Sequence, residues 1–248
     1  MFGKYLKWQL KECFRTMWPL FLACLVIEGL MLEANNSSGS QAGDIAGTIL
    51  VIAYGILMIA LVVVTSIRII QNFWKDTYGK DAYFKMTLPV SADQKLLADG
   101  LASFLLVLAA IAVSLVPYLF FFPTSNVQFN LIVQFDEIKY LVLFLMLVVV
   151  RILNAVYLVY LSESVASQDS SHAVLIGIAV YVAVSLLQFC VIARSGYTVV
   201  TDITTRVPSS DPDIIFWGMS RCLWIMAAFT VVFYFAERWL LKKHYNLK

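Results

Sequence analysis

The sequence predicts an all-α, polytopic membrane protein: six transmembrane helices, an N-terminal interfacial helix and a cytoplasmic elbow between the second and third spans. Three observations predict it. The 248 residues are 61% hydrophobic and only 14% charged, against about 45–50% apolar and about 25% charged in a soluble domain. Six apolar runs are long enough to cross about 30 Å of hydrocarbon at about 1.5 Å per residue. The basic residues gather on one side of those runs, as orientation in a bilayer requires. No linker, repeat or long polar stretch marks a second domain, so 1–248 reads as one membrane domain.

The elements follow in order. Residues 1–16 read as the interfacial helix: Phe2, Leu6, Leu10, Cys13 and Phe14 share an arc continued by Met17, while Lys4, Lys7, Lys11 and Arg15 lie opposite. Trp18-Pro19 is expected to turn the chain into the membrane, with proline in a first helical turn. The spans are placed at 17–32, 45–70, 101–122, 140–161, 174–193 and 214–240. A connection over 194–213 reads as a small extracellular cap before the sixth. There Asp211-Pro212-Asp213 supplies the start signals of a helix better than it supplies a metal pair.

Orientation comes from charge. Lys4, Lys7, Lys11 and Arg15, then Arg68, Lys75, Lys80, Lys85 and Lys95, then Arg238, Lys242, Lys243 and Lys248 fall on one side, against Lys139, Arg194 and Arg206 on the other. Both termini and the segment 71–100 are therefore expected on the cytoplasmic side of the membrane.

That segment, "YGKDAYFKMTLPVSADQKLLADG", is the densest polar and aromatic stretch of the chain. The second helix should run to about Tyr78, with Lys75 in its last turn and Gly79 ending it. Pro89 forces Leu88 to be extended. Ser91-x-x-Gln94 is a capping box, with Asp93 in the first turn of a helix that should run unbroken into span three. Exposed aromatics beside Met and Lys are what an interface favours, so the elbow reads either as a docking surface or as a well-capped loop.

The stretch resembles the segment after the second span in type 2 ABC exporter permeases, with Thr87-Leu88-Pro89-Val90-Ser91 as its most specific part. About 26 residues carry the resemblance; the rest of the chain agrees in layout. Asp99-Gly100 departs from it, standing where that family has a lysine-led pair. The resemblance implies that this is the coupling element, with Tyr83, Phe84, Leu88, Pro89 and Ser91 contacting a separate ABC ATPase subunit, present in two copies. It implies a second permease chain, most simply a homodimer, and ATP-driven export of amphipathic peptides. Drug or lipid export, and a non-transporting immunity or sensor protein of the same fold, are the alternatives. The resemblance also makes spans two and five the path walls, through Tyr54, Met58, Tyr181 and Gln188. Small-residue pairs Gly43/Gly47, Ala173/Gly177 and Ala179/Ala183 suit a close dimer seam.

Polar residues inside spans are the other expectation. Arg151 stands near the middle of span four with Asn154 three residues on, read as one face. A central arginine costs about 2.5–3.5 kcal/mol on insertion scales, so it should face protein or water. Glu28 and Arg221 lie toward the outer ends of spans one and six, at depths suited to pairing across the outer mouth.

No phosphate loop is present, because no glycine stands five residues before Gly79-Lys80 and no Ser or Thr follows. ATP and Mg would bind the partner ATPase, and this chain is expected to hold no cofactor or metal. With only His172 and His244 and no nucleophile elbow, no catalytic residue is assigned. Cys13, Cys24, Cys190 and Cys222 show no paired spacing. Membrane lipid is an expected partner, and nucleic acid is not.

Overall fold

The computed structural model describes residues 2–36, 41–78, 92–121, 138–168, 172–206 and 213–246. Six helices carry them: α1 (Phe2–Asn36), α2 (Gln41–Thr77), α3 (Ala92–Phe121), α4 (Ile138–Ala166), α5 (Ala173–Arg206) and α6 (Asp213–Asn246). All six are long and apolar enough to cross a membrane. The protein is therefore all-helical and membrane-spanning, as its composition predicts.

Two boundaries differ from expectation. No break separates an interfacial helix from the first span at Trp18-Pro19; α1 continues through Pro19 as one helix. A proline inside a helix removes one backbone bond, and in membrane helices neighbouring groups re-satisfy the freed carbonyl. The amphipathic stretch is thus the first part of the same long helix. Likewise the connection expected over 194–213 is mostly helix, since α5 continues to Arg206. Threonine and serine weaken a helix without breaking it, and the first proline there is Pro208. The start of α6 at Asp213 agrees with the expected cap signals.

The described residues divide into two compact units. One comprises 1–72 with 101–134, and the other 73–100 with 135–248. In the first, α1 buries a single stripe: Tyr5, Gln9, Cys13, Met17, Phe21, Cys24 and Glu28. Steps of three and four place all seven on one face. This stripe is rotated from the expected arc, because Phe2, Leu6, Leu10 and Phe14 are only half-buried. Asn72 Nδ2 donates to Cys13 Sγ at 3.5 Å, tying α2 to α1. The Tyr54 hydroxyl donates to the Ser114 carbonyl at 3.3 Å, tying α2 to α3.

In the second unit, α4 packs on α5 and α6, and α5 packs on α6. The half of α4 from Ile152 onward is buried almost all round and forms the centre, whereas Val142, Phe144, Leu145, Met146 and Val149 are exposed. Where α4 turns back into α5, Gly177 sits so close that a Cβ there would lie 3.3 Å from Ala166 Cβ. The small residue at 177 therefore serves a contact within the chain, which weakens its reading as part of a dimer seam.

Candidate functional site: polar clusters around α4

The residues implied for ATPase contact, Tyr83, Phe84, Leu88, Pro89 and Ser91, lie outside the described residues. Their flanks do not, and both flanks are fastened. The α2 helix ends as expected, with Lys75 in its last turn, and the Tyr78 N–H still donates to the Trp74 carbonyl at 2.8 Å. The Tyr78 hydroxyl then donates to Ser164 Oγ at 2.9 Å, and Ser164 Oγ donates to Glu237 Oε1 at 2.5 Å. One directed chain thus links the end of α2 to α4 and α6. Burial, and next the Glu237 carboxylate, push the Tyr78 hydroxyl up to about 12, so it stays a donor at any physiological pH.

On the other flank, Asp93 stands in the first turn of α3, as expected. Arg238 Nη2 donates to Asp93 Oδ2 at 2.7 Å, and Nε stands 2.7 Å from Oδ1 as an ion pair without the alignment of a second hydrogen bond. The contact is one charge-assisted hydrogen bond within an ion pair whose side chains are both about one-third exposed.

Aromatic packing fills the space between the two fasteners. Phe73 stacks on Tyr160 with centroids 4.0 Å apart and planes 11° from parallel. The Tyr160 hydroxyl donates to the Asp99 carbonyl at 3.0 Å, drawing α3 onto α4. A Cβ on Gly100 would stand 2.8 Å from the Tyr157 hydroxyl, so only glycine admits that approach. The departure at Asp99-Gly100 thus has a structural reason: the pair is the seat of α4's tyrosines. Two carboxyls complete the cluster. Glu237 is fully buried, and Glu163, also buried, has neither oxygen hydrogen-bonded among the described residues.

A second cluster lies farther along α4, two turns and more from the first. Gln188 Nε2 of α5 donates to Asn154 Oδ1 at 3.0 Å, and Asn154 Nδ2 points to Thr230 Oγ1 of α6 at 3.3 Å. Thr230 in turn donates to the Met226 carbonyl at 2.8 Å. Asn154 and Gln188 were expected in different roles, and the structure joins them. Gln188 is therefore not an open wall residue; it is 3% exposed and engaged with α4. Asn154 is likewise fully buried, whereas Arg151 is exposed. The two do not share a face: three residues along a helix leave a 60° offset, enough here to separate core from surface.

The remaining expected residues fall in both units. Tyr54 is half-buried in the first unit with its hydroxyl on α3, and Met58 is half-buried beside it in sequence. Tyr181 is 42% exposed on α5. Glu28 is buried in the first unit, with Tyr54 near its carboxyl. Arg221 is exposed in the second.

Tyr78, Asp93, Tyr160, Ser164, Glu237 and Arg238 are the site residues that sequence reasoning did not single out as a set. One signal was present: Glu237 is a lone acid after eight residues of mostly apolar and aromatic character, immediately before Arg238. Compared with family models, with curated proteins and with solved structures, the chain matches none.

Proposed function

We propose that this chain is the membrane-spanning subunit of an ATP-driven exporter, with the segment around Thr87–Ser91 receiving a separate ATPase. The observation that carries the reading is the fastening of both flanks of that segment. Tyr78 joins one flank to α4 and α6 through Ser164 and Glu237, and the Arg238–Asp93 ion pair joins the other to α6. A loop needing only solubility has no use for two such anchors. A loop that passes motion inward needs both, because force on it must reach helices without being absorbed at its ends.

The exposed apolar surfaces of α2 and α5, such as Ile52, Ile56 and Ile59 or Ile178, Val182 and Leu186, are what lipid or a second permease copy would cover. Two copies of this chain with two ATPase subunits form the assembly. Both termini and the fastened segment face the cytoplasm, following the lysine and arginine bias. Amphipathic peptides are the favoured cargo.

The test is co-purification of the chain with the ATPase encoded beside its gene, with ATPase rates recorded. Wild type should retain the ATPase, and Phe84→Ala/Leu88→Ala should release it. Ser164→Ala with Asp93→Asn should leave it bound while uncoupling its hydrolysis from cargo. Failure of the folded wild-type chain to hold any ATPase would end this reading.

A further inference from the structure

Arg151 is the tenth residue of the 25-residue span Val142–Ala166, about 13 Å along the helix from one end and about 22 Å from the other. It is exposed on the surface of its unit, and no hydrogen bond or ion pair engages it among the described residues. A guanidinium is always charged, and its side chain is too short to bring it from that depth to the headgroups. Among the described residues of its unit, none answers that charge.

A second copy of the chain has little to offer. The acids within the described spans are Glu12, Glu28, Asp93, Asp99, Glu163 and Glu237. Glu28, Asp99, Glu163 and Glu237 are all buried, and Asp93 is held by Arg238. Glu12 stands on the amphipathic start of α1 and has interactions of its own. None is an exposed, unclaimed acid at the depth of Arg151. Resident phospholipid is also a poor match, since its phosphate stays at the interface.

We infer that Arg151 is a binding site for the anionic group of a membrane-soluble amphiphile, a carboxylate or phosphate that enters the bilayer core with an apolar body attached. The neighbourhood suits such a molecule. Phe144, two turns before Arg151 on the same stripe, is 53% exposed, and Ala155, one turn after it, is exposed and small. Helical side chains lean toward the N-terminus, so the guanidinium leans toward Phe144. The anion would take the two outward N–H pairs, and the apolar body would lie on the phenyl ring. Calling this ligand a cargo rests on the export reading; the binding itself does not.

The experiment is equilibrium binding of fluorescent dodecanoate to the full chain in phosphatidylcholine nanodiscs, with the matching dodecylamine probe as control. No ATPase is needed, so its failure is distinct from failure of the exporter reading. Wild type should hold dodecanoate about tenfold or more tightly than Arg151→Gln, the scale of one charged hydrogen-bonded contact. Arg151→Lys should fall between them, and dodecylamine should bind all three alike. Equal dodecanoate affinity in wild type and Arg151→Gln would overturn the site. An equal loss of both probes in Arg151→Gln would overturn it as well, by reducing it to an apolar surface. If adding phosphatidylglycerol to the nanodiscs displaces dodecanoate, the occupant is resident lipid and the cargo assignment falls.

Discussion

Two polar clusters join α4 to α6, one with α5 and the other with the end of α2, and they are built from opposite materials. The Asn154–Gln188–Thr230 cluster is neutral, and each of its three side chains finds a partner. The Tyr78–Ser164–Glu237 cluster is acidic, and Glu163 beside it has no hydrogen bond to either oxygen among the described residues. A neutral, satisfied cluster has one low-energy arrangement and holds helices in register. An acidic, partly satisfied one has less to lose on rearrangement. The first therefore acts as a fixed pin and the second as a movable joint, located where the proposed coupling segment attaches.

The largest effect should come from breaking the joint. Ser164→Ala removes the middle of the chain and leaves both the Tyr78 hydroxyl and Glu237 Oε1 without that partner. A loss of about 1–3 kcal/mol is expected, the cost of orphaning buried polar groups. Unfolding in detergent, followed by tryptophan fluorescence, would measure it; a loss below half that range would mean that the chain carries little stability.

Gly100→Ala tests the packing behind the joint. The new methyl would meet the Tyr157 hydroxyl, which must give way, and overpacking of this kind costs about 1–3 kcal/mol. Pairing it with Tyr157→Phe should recover part of the loss, because the contact is with the hydroxyl itself. No recovery would place the strain elsewhere.

The pin should yield less. Asn154→Leu, measured in the same assay, is expected to cost about 0.6 kcal/mol, the average of buried polar contacts between membrane helices. Near-equality with Ser164→Ala would erase the distinction between the two clusters. The Arg238–Asp93 pair belongs in the same low range, with an interaction energy in a double-mutant cycle under about 1 kcal/mol because both partners are partly exposed.

Alkaline pH reaches the joint without any substitution. The Tyr78 hydroxyl is pushed up to about 12 by burial and Glu237, from an ordinary value of about 10. Its contribution is fully present below pH 10, where both folded and unfolded chains keep the proton, and is lost as pH rises toward 12. Tyr78→Phe should flatten that limb of the stability profile; an unchanged limb would assign the titration to another group.

Much of the fold is legible in the sequence because a bilayer imposes one rule on every span, and six apolar runs obey it. The ends of α2 and α3 beside the insert are legible too, since Lys75 and Asp93 mark them chemically. Pro19 misleads because its usual role is to open a helix, and nothing local shows that a membrane helix can absorb it. The clusters are less legible for a different reason. Asn154 and Gln188 are 34 residues apart, and Tyr78 and Ser164 are 86 apart, so only the packing of α4 brings them together. Helical spacing tells which residues share a face, but it does not tell which face meets which helix.

The close seat of Gly177 against Ala166 also bears on how the chain is made. These residues are eleven positions apart across the turn from α4 to α5, so their contact closes a short loop at small entropic cost. The two helices can thus leave the ribosome and enter the bilayer as a paired hairpin, with Asn154 already receiving Gln188. Each amide then shields the other from lipid until α6, synthesised last, arrives with Thr230. Ser164 can already receive the Tyr78 hydroxyl, but its own acceptor, Glu237, comes only with α6. Biogenesis of this protein therefore has a vulnerable interval, between insertion of the fifth helix and arrival of the sixth.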